Sequence, residues 1–265
     1  MGGLSNPAVG IALSKPDLAQ VLADELGRDG ADTVLAHLQR FRLADADAVA
    51  NARTVTRQEL RAWRAEIQGR FAERAGSEAE PVVSVILPAF DTVRMSASAV
   101  VSLLSLETRN AFEIIVADDA STDGTEAVFA GCDGPVRYFR NPRNLGFLRN
   151  CNHAARLARG QYLLFLNNDL IVLPGHLDAL LAIAADPLVG LVGSKLLNLD
   201  GSLQEAGALV WEDGTGWNFG RGEDVRHPHY SFVREMDYIS GASILTPCDV
   251  WDELGGFSDV FAPAY

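Results

Sequence analysis

Tyr162-Leu163-Leu164-Phe165-Leu166-Asn167-Asn168-Asp169 is a short apolar run that stops at two amides and a carboxylate. Large apolar residues in a row, bounded by Gly160, predict a buried strand. The ending is unusual, because Asp and Asn are poor strand formers and costly to bury without partners. Polar residues at the carboxyl end of a buried strand are where α/β sheets bind ligands. One carboxylate flanked by neutral oxygen donors suits a hard divalent cation that also holds phosphate oxygens. A plain turn, with Asn167 and Asn168 in it and Asp169 capping it, accounts for the same residues equally well.

Outward from this strand, the chain from Val82 onward alternates strands and helices. Residues 82–87 form an apolar, β-branched run ended by Pro88, and 95–106 read as a helix. A second strand is expected at 112–117, a short helix after Asp123 and a third strand at 136–139. Residues 147–159 read as a helix that leads into the Tyr162 strand. Pro174 opens a further helix, since Pro favours the first helical position, and 188–197 return to the sheet. The alternation predicts right-handed crossovers and an α/β fold with a mainly parallel, doubly wound sheet flanked by helices.

The first 80 residues differ in texture. Residues 1–15 are rich in Gly, Ser and Ala, and 17–71 read as helices. Leu18, Val21, Leu22 and Leu26 fall on one face, as do Val34, Leu35, Leu38 and Phe41, and then Leu60, Trp63, Ile67 and Phe71. Arg57, Arg61, Arg64, Arg70 and Arg74, interspersed with acids, read as a solvated face. Residues 75–81 read as a linker. The expected division is a helical N-terminal appendage over 1–80, separable from an α/β domain over 81–265.

Composition bounds the chemistry. The chain has 265 residues, 48% hydrophobic and 22% charged, as globular domains do. Its formal charge of −13 argues against nucleic-acid binding, so an anionic substrate needs a local basic patch. Such a patch exists: residues 134–168 contain no Asp or Glu but include Arg137, Arg140, Arg143, Arg149, Arg156 and Arg159. Arg143 and Arg149 flank the Asn144-Leu145-Gly146 turn and are the expected phosphate-binding members. Cys132, Cys151 and Cys248 lack metal-ligand spacing, and free thiols point to a reducing cytosol. No uninterrupted apolar span of about 18 residues is visible, so no transmembrane helix is expected.

Directly after the second expected strand stands Asp118-Asp119-Ala120-Ser121-Thr122-Asp123-Gly124-Thr125. Ser121 and Asp123 suit helix caps. Caps do not explain the pair Asp118-Asp119, which must repel unless cationic or donor groups meet it. Near the end of the chain, Ser240-Gly241-Ala242-Ser243 and Gly255-Gly256-Phe257-Ser258 place small residues where backbone can approach a ligand closely.

Together these segments resemble family 2 glycosyltransferases of the GT-A fold, from about Val83 to Tyr265. The motifs are Ser84-Val85-Ile86-Leu87-Pro88-Ala89-Phe90, Asp118 to Thr125, Asn141-Pro142-Arg143-Asn144-Leu145-Gly146-Phe147 with Asn152, Leu166-Asn167-Asn168-Asp169 and Gly255-Gly256-Phe257. The closest flavour is a rhamnosyltransferase-like branch, whose metal motif often reads Asn-Asn-Asp or Asn-Pro-Asp.

The resemblance implies roles. Pro88, Ala89, Phe90 and Asp119 hold the uracil or thymine and ribose of a UDP- or dTDP-sugar, with Asp118 supporting. Asp169 is the last acid of an Asp-x-Asp element that binds Mn²⁺ or Mg²⁺ on the diphosphate, beside Asn168. Asn167 replaces that element's first acid, which predicts weaker metal binding. The general base is expected in a Glu-Asp pair just after Gly-Gly-Phe. The chain reaches Tyr265 before such a pair and so reads as incomplete, with Asp259 the nearest substitute.

The implied activity is inverting, metal-assisted sugar transfer to a glycan or lipid-linked acceptor in cell-wall or polysaccharide biosynthesis. The expected location is the cytoplasm, at most peripheral to the inner face of the membrane. The competing non-enzyme reading is a nucleotide-sugar-binding or scaffold module without turnover, which Asn167 and the missing base favour. A nucleotidyltransferase or dinucleotide oxidoreductase needs a Gly-rich loop after the first strand, and Pro88-Ala89-Phe90-Asp91 is not one.

Overall fold

A computed structural model of the chain describes residues 17–45, 55–74, 80–132 and 134–262. Strands β1 (Val83–Ala89), β2 (Phe112–Asp118), β3 (Val136–Arg140) and β4 (Tyr162–Leu166) are parallel and lie in the order β3-β2-β1-β4. Past β4 the sheet continues antiparallel with β10 (Ser243–Pro247), whose outer neighbour is the short β5 (Val192–Gly193). The expected mainly parallel sheet is present, with this antiparallel extension at one edge.

The strands read as unbroken apolar runs because both faces are covered. Val85, Leu87, Ile114, Val116, Leu164 and Leu166 face one apolar layer. Ile86, Ile115, Leu163 and Phe165 face the other, with Cys151 and Ala154 of α5 (Phe147–Ala155) and Trp251 of α7 (Cys248–Leu254).

The N-terminal helices α1 (Leu18–Arg40) and α2 (Arg57–Arg74) complete the first layer. Phe41, Trp63 and Ile67 share one cluster with Val100 and Leu103 of α3 (Val93–Leu104). Arg94 of α3, only 2% exposed, donates to the Phe41 carbonyl at 3.4 Å and to Glu59 at 3.1 Å. Arg64 does more than face solvent, since it donates to the Ala127 carbonyl of α4 (Thr125–Phe129) at 3.0 Å. The expected linker lies largely outside the described residues, as do residues 1–16.

Several boundaries move, each for a physical reason. Pro88 lies inside β1, because pairing with β4 has already ended at Ile86 and no partner misses its N–H. Helix α5 stops at Ala155 rather than 159, since the next residues turn inward. There the Arg159 and Gly160 amides donate to the Ser84 hydroxyl at 3.1 and 2.9 Å. Helix α6 (His176–Ala184) begins after Pro174, because Gly175 at φ +79° breaks the helical path. Only Val192 and Gly193 of the 188–197 stretch join the main sheet, while β6 (Leu196–Leu197) pairs with β7 (Leu203–Glu205).

Candidate active site

The chain builds β1, β2 and β3 in one direction and then returns to place β4 on the other side of β1. This reversal is a topological switch point, the place where open α/β sheets form a ligand crevice, here at the carboxyl ends of β1 and β4. The residues singled out in the sequence converge on this edge. Pro88, Ala89 and Phe90 end β1, Asp118 and Asp119 end β2, and Asn167-Asn168-Asp169 follow β4. Phe90 is 45% exposed, an apolar ring left open at the crevice.

The two walls are stitched together. Asn168 donates from its amide to the Thr92 and Ser96 hydroxyls at 2.5 and 2.8 Å, so it ties β4 to α3. The Asn167 backbone N–H donates to the Ala242 carbonyl at 2.8 Å. Asp91 receives the Thr122 amide at 2.6 Å, and its own amide donates to the Ser121 hydroxyl at 3.0 Å. Ser121 therefore links the strand-end loops instead of capping α4. Asp123 receives the Thr125 amide on one oxygen and the Val93 amide on the other. Asp91 and Ala120 both hold positive φ, a strained state for side-chain-bearing residues that clusters at functional sites.

The acid pair finds the partners its adjacency demands. Asp118 is fully buried and receives the Ser121 amide, the Tyr138 hydroxyl and the Arg140 guanidinium. Burial, with the hydrogen bond to Asp118 next, pushes the Tyr138 hydroxyl above its ordinary pKa. Asp119, 4% exposed, receives the Asn141 side-chain amide at 2.8 Å and the backbone amides of Leu145 and Gly146 at 2.9 Å. Gly146 sits at φ +80°, which lets both amides point inward. Asp119 thus holds the turn that lies between Arg143 and the start of α5, which carries Arg149.

The arginine-rich segment divides. Arg137 and Arg159 flank the buried Glu113 at the far end of β2, at 2.9 and 2.7 Å. Burial raises the Glu113 pKa, and these two guanidinium groups with Ser84 more than reverse it. Arg140 serves Asp118. Arg143 is exposed and, among the described residues, makes no ion pair. Arg149 pairs with Asp259 at 3.0 Å, which places Asp259 beside the crevice but already engaged.

The residues at the β4 end meet the requirements of a shared cation site only in part. Among the described residues no three His, Cys, Asp or Glu side chains converge. Asp169 is exposed and, among the described residues, takes no hydrogen bond or ion pair. A single open carboxylate beside the Asn167 amide fits an ion that takes its remaining ligands from diphosphate and water.

Two further residues escaped sequence reasoning. His176 lies against β10 and β5, its Nε2 within 3.0 Å of the Ser194 hydroxyl and 3.2 Å of the Ser243 hydroxyl. Burial lowers its pKa to about 4. Glu205, 3% exposed, accepts the Ser240 amide at 3.1 Å, and burial raises its pKa. Neither sits in a recognisable motif; only their isolation as polar residues in apolar surroundings could have marked them.

Over 250 residues, 86% of this chain, the protein is 31% identical to the O-antigen biosynthesis protein RfbC of Myxococcus xanthus. Over 129 residues it is 30% identical to a Campylobacter jejuni GalNAc(5)-diNAcBac-PP-undecaprenol beta-1,3-glucosyltransferase, covering 47% of this chain and 41% of that protein. A Sinorhizobium fredii protein, y4gI, is 28% identical over 69% of the chain. The chain spans only 20% of RfbC and 21% of y4gI. The crystal structure of GalNAc-T7 with UDP, GalNAc and Mn²⁺ superposes with a TM-score of 0.53 at 17% identity. It covers 69% of this chain and 37% of GalNAc-T7, a likeness of fold. The family model for glycosyl transferase family 2 matches residues 84–231, more than half the sequence, and the chain therefore belongs to that family.

Proposed function

We propose that the crevice between β1 and β4 binds a nucleoside-diphosphate sugar and that the protein transfers its sugar, with inversion, to a hydroxyl of a glycan or lipid-linked acceptor. One observation carries this reading. An exposed carboxylate, Asp169, without a partner among the described residues, stands at the switch point of a family 2 sheet, on the same edge as the exposed Arg143.

Phe90 offers an apolar face to the uracil or thymine, and the ends of β1 and β2 line the ribose. Arg143, and Arg149 if it leaves Asp259, meet the diphosphate. Asp119 positions both through the turn it holds, and Asp118 secures β2 to β3 beneath. Asp169, with Asn167, would hold Mn²⁺ or Mg²⁺, which would neutralise charge on the leaving diphosphate. An acceptor oxygen attacks the anomeric carbon as the carbon–phosphate-oxygen bond breaks, and the nucleoside diphosphate leaves with that electron pair. The hydroxyl proton passes to a carboxylate within hydrogen-bond reach. Asp259 is the acid nearest this edge in the described tail, and freeing it from Arg149 couples base to donor: diphosphate draws Arg149 away. The O-antigen and undecaprenol-linked relatives support a polysaccharide acceptor.

Among the described residues no helix is long and apolar enough to cross a membrane. Peripheral association at the cytoplasmic face is part of the proposal.

Calorimetric titration with UDP and dTDP tests donor binding. Arg143→Ala is expected to weaken the nucleoside diphosphate by about 1–3 kcal/mol, the loss of a charge-assisted contact, and to leave nucleoside binding unchanged. Equal weakening of nucleoside and diphosphate contradicts the assignment of Arg143.

A further inference from the structure

Away from the crevice, a hairpin exposes two tryptophans to which the transfer reaction assigns no role. Strands β8 (Ala208–Val210) and β9 (Gly216–Asn218) pair Leu209 with Trp217 and Val210 with Gly216. The Trp211 amide closes the turn on the Thr215 carbonyl at 2.8 Å. Cross-strand partners and residues two apart share a face, so Leu209, Trp211 and Trp217 lie together. Tyr238 covers the opposite face, where a Cβ on Gly216 would stand 3.1 Å from its hydroxyl. Trp211 is 57% and Trp217 63% exposed. Contiguous apolar surface of this kind marks an interaction site.

We propose that this face is a stacking platform for a saccharide chain. Indole faces carry the negative side of the ring quadrupole and attract weakly positive C–H surfaces, which a pyranose ring presents. The charge pattern separates a glycan from a lipid surface. Residues 208–218 contain Glu212 and Asp213 and no Lys or Arg. Aromatic segments that lie on membranes carry Lys and Arg for the anionic leaflet, whereas an acidic tip is repelled by it. Asp213 holds the turn through the Thr215 amide and hydroxyl, and the Glu212 carboxylate beside the aromatic plane suits sugar hydroxyls, which are donors.

The platform is also tied by hydrogen bonds to the segment that leads to the end of β4. The Ala208 amide donates to the Tyr238 carbonyl at 2.9 Å, and Asp237 receives the Val210 amide at 2.8 Å. The same segment runs on to Ala242, whose carbonyl holds Asn167 at the end of β4. The indoles therefore stand on a hairpin anchored to the segment that holds the end of β4. That the glycan is the acceptor rests on the glycosyltransferase reading; that it binds does not.

The test is a calorimetric titration of the full chain with chitohexaose, cellohexaose and mannohexaose, and in parallel with phosphatidylglycerol vesicles, with tryptophan emission of the wild type read alongside. Stacking tolerates sugar identity because every pyranose has a C–H face, so the panel probes the platform as a class. At least one hexasaccharide is expected to change the emission saturably. Trp211→Ala/Trp217→Ala is expected to weaken that binding about tenfold or more. Its melting temperature and UDP affinity stay unchanged, since both side chains project into solvent. No response to any hexasaccharide, a response to vesicles alone, or wild-type sugar affinity in the double variant overturns the platform. Sugar binding without UDP binding sinks the donor reading and leaves the platform standing.

Discussion

The side-chain amide of Asn152 holds the backbone of Phe257 from both sides. Its Nδ2 donates to the Phe257 carbonyl at 2.8 Å, and its Oδ1 accepts the Phe257 amide at 3.0 Å. The two residues are 105 positions apart. This pairing docks the tail on α5, seats the Phe257 ring 5.0 Å from Phe165 and 4.9 Å from Trp251, and brings Asp259 to Arg149.

Asn152→Ala is therefore predicted to cost about 1–3 kcal/mol, because both Phe257 backbone groups lose their partner. Gly256→Ala is predicted to cost about as much. Gly256 sits at φ +80°, and an added Cβ would stand 2.9 Å from the Asn152 Oδ1 and 3.0 Å from Trp251. Urea denaturation measures both. A cost below a few tenths of a kcal/mol in either variant means the tail is held by something else.

The N-terminal helices are predicted to act as part of the α/β core. Trp63 is 4% exposed and stacks on Phe41 with ring centroids 5.8 Å apart. Trp63→Ala is expected to cost about 3–5 kcal/mol. A chain starting at residue 80 should melt lower and bind hydrophobic dyes. If it instead melts cooperatively at the full-length temperature, the helices are the separable appendage that the sequence suggests.

Stability is predicted to fall on mild acidification. Burial lowers His176 and His37 to about 4 from an ordinary 6.5. The unfolded chain takes up these protons first, so the contribution is complete above about pH 6.5 and is lost as pH falls toward 4. Each histidine contributes up to about 3 kcal/mol of this slope. Glu205 has the opposite sign: its raised pKa favours the folded state at low pH and costs stability as pH rises through 4.5 and above. Urea midpoints between pH 4 and 7 should flatten in a His37→Gln/His176→Gln variant. An unchanged slope excludes these histidines as the cause.

Much of the fold and its candidate site is legible in the sequence. The 162–169 stretch announces a buried strand ending in polar groups, and the sheet follows from the alternation around it. Asp118-Asp119 announces a need for donors, and Arg140, Tyr138 and the Gly146 turn supply them. Distance in the chain hides the rest. Nothing local tells Arg137 and Arg159 that Glu113 awaits them, or Arg64 that α4 carbonyls lie beside it. Polar residues with structural partners look the same in one dimension as residues awaiting a ligand; Asn168 and Ser121 are examples.

The central claim is that Asp169 joins nucleoside diphosphate to metal. The direct measurement is the UDP affinity of the full chain with and without Mn²⁺, in the wild type and in Asp169→Ala. The wild type should bind UDP about tenfold or more tightly with Mn²⁺, a coupling of at least about 1.4 kcal/mol. Asp169→Ala should lose that difference while keeping its metal-free affinity. Equal Mn²⁺ enhancement in both proteins would contradict the assignment of Asp169.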